Sequence, residues 1–227
     1  IRANTDPRQW AALYMQNPTP DEGSFFRREW FERFDPRTLT AGHAYTTGDF
    51  AVTEGGGDFT EIGTHRYLGD TLYLCVDGWY GQTAGDEWIE RLIDQFGRHK
   101  PLCFFGESGP IRRSIEPFLT RRMRERRTYC RLEWLVRSHD KPTMARSLQA
   151  MAAARRVKIA DTEYGEHVLS QLLAFPAGVR DDAVDMAALM GMAIAEAHPG
   201  LIQAPAPNKP QYDGYSRPRE DDSWKVA

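Results

Sequence analysis

Apolar and polar residues alternate in three neighbouring stretches of the first half of the chain. Residues 43–52, 61–68 and 71–76 are rich in β-branched and aromatic side chains, which predicts three strands. Gly69 and Asp70 separate the last two strands, and a pair of this kind is typical of a tight hairpin. We therefore expect these three strands to be antiparallel.

A helical period follows these strands, and strands and helices then alternate. Thr83 is the expected N-cap of the first helix, with Asp86 at its third position. Its apolar stripe consists of Trp88, Ile89, Leu92, Ile93 and Phe96. Further strands are predicted at 101–106, 129–136 and 157–159, and helices at 110–126, 142–154, 162–174 and 182–196. This order predicts an α/β fold, in which a mixed sheet is flanked by helices.

The pattern divides the chain into three parts. Residues 1–40 are expected to be a connector, and residues 41–197 the main domain. Residues 198–227 carry many prolines and little apolar periodicity, which predicts an extended or disordered tail. The aromatic residues expected to pack the connector on the main domain are Phe25, Phe26, Trp30, Phe31 and Phe34. Because the first residue is Ile1 and not Met, we expect the chain to be cut from a longer polypeptide.

Composition narrows the function classes. Hydrophobic residues make up 41% and charged residues 27%, so a packed core is expected. No apolar stretch is long enough for a membrane span, and no secretory signal is visible. The net charge of −3 gives no global attraction to nucleic acid. Three cysteines without paired spacing indicate buried thiols in a reducing compartment. The histidines form no zinc-binding spacing, and no nucleophile motif such as GxSxG is present.

Carboxylates stand at the ends of predicted strands and at the start of a predicted helix. Asp49 ends the first strand, Glu107 follows the apolar run PLCFFG, and Asp181, Asp182 and Asp185 open the last helix. Oxygen ligands held on a rigid sheet are what a divalent metal ion requires. Taken singly, each acid has a simpler reading, because the aspartates suit a helix N-terminus, Glu107 suits a helix entry and Asp49 suits a turn. Their joint placement favours a metal site.

Four segments resemble the C-terminal nuclease domain of the large terminase subunit of tailed bacteriophages, which is RNase H-like. WAALYMQNPTPDEGSFF is similar to the stretch that joins the family's ATPase to its nuclease, and YTTGDFAVTEGGGDFT is similar to its first acidic strand. CFFGESGP is similar to the second acidic strand, and LLAFPAGVRDDAVDMAALM to the FP-x-x-x-x-DD-x-x-D segment that ends the domain. No GxxxxGK[ST] phosphate loop is present, so we expect the packaging ATPase to lie upstream of these residues.

The resemblance implies a site with two Mg²⁺ or Mn²⁺ ions. It makes Asp49, Glu107 and Asp182 the catalytic and metal-binding triad, and Asp181 a neighbouring carboxylate that serves the second metal or substitutes for Asp182. Which of Asp181 and Asp182 is the main metal ligand stays open. Candidates for an outer position around the ligands are Asp58 and Asp185.

Basic residues cluster on the helix after Glu107, where RRMRERR at 121–127 holds five arginines. Such a run is either a solvated helix face or a strip that contacts DNA phosphates beside the site. The DNA-binding candidates are Arg121, Arg122, Arg124, Arg126, Arg127, Lys141 and Arg146. Lys141 also resembles part of a DK element of the family, or it simply pairs with a nearby acid.

The resemblance implies a metal-dependent endonuclease that cuts concatemeric double-stranded DNA by two-metal phosphodiester hydrolysis. Its implied partners are DNA, the portal protein and the terminase small subunit, in the host cytoplasm. An RNase H-like resolvase or transposase core would use the same acids. A docking module for the portal or the small subunit, with structural acids, is the alternative outside enzymes.

Overall fold

The computed structural model describes residues 25–51, 59–136 and 140–197. The first part of the connector, Asp58 and the proline-rich tail lie outside these residues. The described chain forms one seven-stranded sheet with helices on both faces. None of its helices combines the length and the apolar character needed to cross a membrane.

Seven strands make up the mixed sheet, in the order β1-β7-β4-β3-β2-β5-β6. The strands are β1 (Glu32–Phe34), β2 (His43–Asp49), β3 (Thr60–Leu68), β4 (Thr71–Gly81), β5 (Cys103–Ser108), β6 (Arg131–Val136) and β7 (Val157–Ala160). β2, β3 and β4 are antiparallel neighbours, whereas β5 and β6 join β2 in parallel and β7 and β1 join β4 in parallel. The predicted mixed sheet is confirmed, with β1 as an additional edge strand.

The turn between β3 and β4 follows directly from two residues. Leu68 and Thr71 are paired, so only Gly69 and Asp70 remain for the reversal. Gly69 has a φ of +64°, a left-handed conformation that costs glycine little because it lacks a Cβ. This hairpin fixes the register of β3 and β4, and therefore decides which residues reach the far end of the sheet.

Within the described residues, five α-helices cover the sheet. They are α1 (Gly85–His99), α2 (Pro110–Glu125), α3 (Lys141–Ala153), α4 (Glu163–Ala174) and α5 (Asp182–Ala197). The expected cap of α1 is wrong, because the helix begins after Ala84 and Thr83 Oγ1 is buried without a partner in the described part of the chain. Thr162 does cap α4, since its hydroxyl accepts from the backbone N–H of Gly165.

The two faces of the sheet have separate apolar cores. Alternate residues of β5 point to opposite faces, with Phe104 packed among residues of α1 and α2 and Phe105 among residues that include those of α3, α4 and α5. We call these the α1–α2 face and the α3–α5 face. Cys75 and Cys103 are buried free thiols, as expected, whereas Cys130 is partly exposed.

Residues 25–34 pack on the α3–α5 face, through buried Phe26 and Phe31. Phe25 makes an edge-to-face contact with Phe175, with ring centroids 5.1 Å apart. The side-chain amide of Gln149 also donates to the backbone carbonyl of Phe25 at 2.7 Å. This part of the predicted connector is therefore joined to the main domain by core packing and by the pairing of β1 with β7.

Candidate functional site

Asp49 and Glu107 lie side by side at one edge of the sheet. β2 and β5 are parallel, and their register pairs Gly48 with Gly106, so the two acids each follow directly on neighbouring strands. Tyr45 of β2 and Phe105 of β5 belong to the α3–α5 core. Because side chains alternate along a strand, Asp49 and Glu107 both lie on the α3–α5 face, about 5 Å apart across the strands.

Glu61 extends this pair to three carboxylates on three neighbouring strands. It is the register partner of Asp49 on β3, and it is fully buried. The Tyr164 hydroxyl donates to Glu61 Oε2 at 3.1 Å, and His167 Nε2 lies 2.6 Å from Oε1. Burial raises the pKa of Glu61, although the bonds from His167 and Tyr164 oppose this shift. We call Glu107, Asp49 and Glu61 the acid row.

Asp182 opens α5 beside the acid row. The negative charge of Asp182 adds to the raised pKa of Glu61, so the two carboxylates interact. The first turns of α5 pack on β3, because a Cβ at Gly63 would lie 2.7 Å from Met186 Sδ. The three triad residues predicted from the sequence therefore come to the same end of the sheet.

Lys141, the first residue of α3, pairs with two carboxylates of α5. Its Nζ lies 2.7 Å from an oxygen of Asp181 and 3.0 Å from one of Asp185. Burial alone would lower the pKa of Lys141, but the hydrogen bonds to these carboxylates outweigh burial and raise it. Lys141 thus places a positive charge at the start of α5, next to the carboxylates.

A chain of polar contacts, only partly exposed to solvent, links α5 to β3. Gln171 accepts a hydrogen bond from the backbone N–H of Ala183 at 3.1 Å, and its amide nitrogen lies 3.3 Å from His167 Nε2. Since His167 also contacts Glu61, one path of contacts runs from the acid row to the residue after Asp182. This path fixes the first turn of α5, which would otherwise have unsatisfied backbone donors.

The arginine run at 121–127 lies on the other face of the sheet. α2 follows Glu107 but must return along the sheet before the parallel strand β6, so its last turns are roughly 15–25 Å from its start. Arg122 and Arg126 both pair with Glu90 of α1. The structure does not bring this run to the acid row. Of the other basic candidates, Lys141 contacts Asp181 and Asp185, and Arg146 is exposed on α3.

The acid row has the donor chemistry of a divalent cation site. Mg²⁺ and Mn²⁺ prefer carboxylate oxygens, and these oxygens stand on adjacent strands. Across residues 25–51, 59–136 and 140–197, no three His, Cys, Asp or Glu side chains are already arranged around one point as ion ligands. The donors therefore fit the ion chemically, and the fold brings them to one edge without forming a coordination sphere.

The sequence indicated Asp49, Glu107 and Asp182 as candidates but not Glu61, which lies beside them. The one available signal was a glutamate at the start of a strand that is otherwise uncharged as far as His65. Reading that signal required the β2–β3 register, which places Glu61 opposite Asp49. Asp58, the other candidate from this stretch, lies outside the described residues.

Several solved structures share this arrangement of strands and helices. The large terminase of the thermophilic bacteriophage D6E, in complex with ADP, has a TM-score of 0.56 at 11% identity, over 74% of this chain and 43% of that one. The human cytomegalovirus terminase nuclease domain, soaked with manganese and inhibitor-bound, has 0.55 at 11%, over 75% and 94%. The large terminase nuclease of the thermophilic phage G20c, with bound magnesium, has 0.57 at 12%, over 76% and 98%. The fold is RNase H-like.

The RNase H-like fold expected from the sequence is thus confirmed, as is the resemblance to terminase nuclease domains at the level of fold. The chain spans less than half of the D6E terminase and nearly all of the G20c nuclease. No protein-family model and no curated protein sequence matches the chain. The likeness therefore rests on the arrangement of strands and helices.

Proposed function

We propose that this chain is a divalent-metal-dependent DNA endonuclease of the terminase type, which cuts concatemeric double-stranded DNA. The observation that carries the proposal is the meeting of Asp49 and Glu107 on adjacent parallel strands with Asp182 at the start of α5. Carboxylates at the carboxyl ends of parallel strands stand where α/β sheets commonly bind their ligands. The similarity to structures with bound magnesium or soaked manganese supports the same chemistry.

In this proposal Asp49, Glu107 and Asp182 hold two Mg²⁺ or Mn²⁺ ions. When bound, such ions supply an activated water and stabilise the charge on the leaving oxygen of a phosphodiester. Asp181 pairs with Lys141, whereas the charge of Asp182 acts on Glu61 of the acid row, which favours Asp182 as the main ligand of the two. Lys141 also bonds Asp185, so this lysine holds the start of α5 and offsets the repulsion between its acids.

Other residues of the chain keep the ligands in place. Glu61 lies beside Asp49 and is held by His167 and Tyr164, and Gln171 binds the backbone next to Asp182. These contacts are made by buried or partly buried groups, and they hold β3 and α5 in one arrangement. By resemblance, the proposed partners are DNA, a portal protein and a terminase small subunit, in the cytoplasm of the host.

Cleavage of supercoiled plasmid in Mg²⁺ or Mn²⁺ tests the proposal. We expect Asp49→Asn, Glu107→Gln and Asp182→Asn each to lower the rate by about 100-fold or more, because each removes one charged ligand without changing side-chain size. Asp94→Asn is the matched control, since Asp94 is a carboxylate of α1 that pairs with Arg126 on the opposite face. Its rate should equal that of the wild type.

Three results would redirect the proposal. Cleavage at the wild-type rate by all three acid variants would remove the site assignment. A strong preference for branched over linear DNA would favour a resolvase or transposase core. A folded wild-type protein that neither cuts DNA nor gains thermal stability from Mn²⁺ would favour a docking module with structural acids.

A further inference from the structure

Aromatic side chains continue the acid row onto the next strand. Tyr80 of β4 is the register partner of Glu61, so it lies on the same face of the sheet, two strands from Asp49. Strand spacing puts it on the order of 10 Å from Asp49. Phe59 precedes β3, and its ring centroid is 6.1 Å from that of Tyr80. We call Phe59, Tyr80, His167 and Arg180 the aromatic rim.

The Tyr80 ring is held in place and still faces solvent. It stacks on the His167 imidazole with centroids 3.8 Å apart and planes at 4°, and 39% of the residue is exposed. The imidazole is fixed in turn by Glu61, which lies 2.6 Å away. A flat ring kept in one orientation beside a polar site is suited to contact a sugar or base, because little side-chain freedom is lost on binding.

Arg180 provides a cation at the same place. Its guanidinium carbon lies 3.9 Å from the centroid of the Phe59 ring, and the residue directly precedes the two aspartates at the start of α5. No carboxylate of the described residues lies within 4.0 Å of its guanidinium nitrogens. By contrast, Arg122 and Arg126 on the α1–α2 face share Glu90. The Arg180 side chain is also exposed to solvent, so it can reach an outside anion.

We propose that the aromatic rim holds one DNA strand beside the acid row, with the Arg180 guanidinium on a phosphate and the Tyr80 ring against the neighbouring sugar. This rests on the proposed function, because it assigns the substrate contact of the same site. Without metal the acid row repels phosphates, so a cation at its border favours the approach of a strand. The planar guanidinium of arginine matches the geometry of phosphate oxygens.

Binding of a 20-base-pair duplex, measured by fluorescence anisotropy at several salt concentrations, tests the rim. Ca²⁺ replaces Mg²⁺ so that binding is read without turnover. We expect Arg180→Gln to raise Kd about tenfold and to reduce the slope of log K against log salt by about 0.9, which corresponds to one lost phosphate contact. Tyr80→Leu should raise Kd with little change of slope, because the ring carries no charge.

Substitutions of two other arginines are compared with Arg180→Gln. Arg91→Gln is the matched control, since Arg91 is half-exposed on α1 and pairs with Glu87, and it should leave Kd and slope unchanged. Arg124→Gln tests the arginine run of α2. Unchanged binding by Arg180→Gln, or a loss of slope by Arg124→Gln alone, would overturn the rim as the DNA contact.

The outcome is separable from that of the proposed function. If Arg180→Gln does not change metal-dependent cleavage at limiting DNA, the nuclease proposal is supported and the rim proposal is wrong. If DNA binding depends on Arg180 but the protein does not cut DNA, the rim proposal is supported and the nuclease proposal is wrong. If Arg180→Gln lowers the melting temperature, Arg180→Lys decides, because it keeps the charge and should retain the salt slope while weakening binding.

Discussion

The two faces of the sheet bury different kinds of polar side chain. On the α3–α5 face the buried polar residues include Glu61, His65 and Asp185, all of which can take up or release a proton. On the α1–α2 face the buried polar residues of the described chain are neutral, and they comprise Thr46, Thr60, Thr64 and Gln95. Both faces have well-packed apolar cores, so burial alone does not account for the difference.

Position within the sheet accounts for it. The titratable side chains of the α3–α5 face lie at the strand ends where the acid row forms, or directly behind it, and each has a polar partner from another element. Three of the neutral groups on the α1–α2 face bond to one another, because Thr64 donates to Gln95 at 2.6 Å and its hydroxyl lies 3.0 Å from that of Thr46. We infer that the fully buried polar side chains of the α3–α5 face couple stability to pH and to metal, whereas those of the α1–α2 face contribute packing and neutral hydrogen bonds.

The largest expected effect concerns acid stability and His65. This residue is fully buried, its Nδ1 accepts from the backbone N–H of Cys75, and its Nε2 lies 2.8 Å from the Thr47 hydroxyl. Burial lowers the pKa of His65 from 6.5 to about 3. Because the unfolded chain binds the proton first, stability is lost as the pH falls below 6.5, by about 1.4 kcal/mol per pH unit or about 3 kcal/mol at pH 4.

Urea unfolding between pH 7 and pH 4 measures this loss. His65→Asn retains an acceptor near the Nδ1 position but cannot be protonated. Between pH 7 and pH 4 its free energy of unfolding should therefore fall by about 3 kcal/mol less than that of the wild type. The variant is expected to be less stable at pH 7, and only the slope is compared. Parallel curves for the two proteins would show that the pH dependence has another origin.

The fold could be predicted from local signals wherever those signals were sufficient. The Gly69-Asp70 turn was sufficient to predict the β3–β4 hairpin, and the apolar stripe was sufficient to predict α1. β1 was missed because three residues, Glu32 to Phe34, acquire their strand partner only from β7, more than 120 residues later. The start of α1 was misplaced because a threonine followed by an acid resembles a cap whether or not the backbone turns there.

The second effect compares two glycines. A Cβ at Gly78 of β4 would lie 1.8 Å from the Tyr164 ring, whose hydroxyl is bound to Glu61 and to the Ile62 carbonyl. We expect Gly78→Ala to lower the free energy of unfolding by about 2 kcal/mol, because the fixed ring cannot yield.

Gly97 on α1 is the matched control for Gly78. The nearest atom to its added Cβ is Thr128 Cγ2 at 4.0 Å. Gly97→Ala should therefore raise stability by about 1 kcal/mol, because alanine loses less backbone entropy in a helix. Urea titrations give both free energies of unfolding. Changes of the same sign would contradict the proposed difference between the α3–α5 face at Gly78 and the α1–α2 face at Gly97.

The site could be predicted only in part, for a related reason. Asp49, Glu107 and Asp182 stand at strand ends or at a helix start, and such positions are visible in the pattern. Glu61 is buried by Tyr164 and His167, which lie more than 100 residues further on. The sequence left two readings of the arginine run open, because the pairing of Arg122 and Arg126 with Glu90 depends on how α1 and α2 pack, which the sequence does not display.

The smallest effect compares two buried glutamines, Gln171 behind the acid row and Gln95 on α1. Gln171→Leu removes the acceptor of the buried Ala183 N–H, which should cost about 1 kcal/mol of stability. Because that N–H belongs to the residue after Asp182, the variant should also need about tenfold more Mn²⁺ for the same rise in melting temperature. Duplex binding in Ca²⁺ at saturating metal should be unchanged.

Gln95→Leu provides the control for this metal response. Gln95 is buried, like Gln171, and its Oε1 accepts from Thr64, but its contacts lie on the α1–α2 face. Its Nε2 has no partner among the described residues, so a leucine there removes an unsatisfied donor as well as an acceptor. The Mn²⁺ titration of this variant should therefore coincide with that of the wild type, whatever its melting temperature. Equal losses of metal response in both variants would mean that any buried polar contact supports the site, and the difference between the two faces would no longer hold.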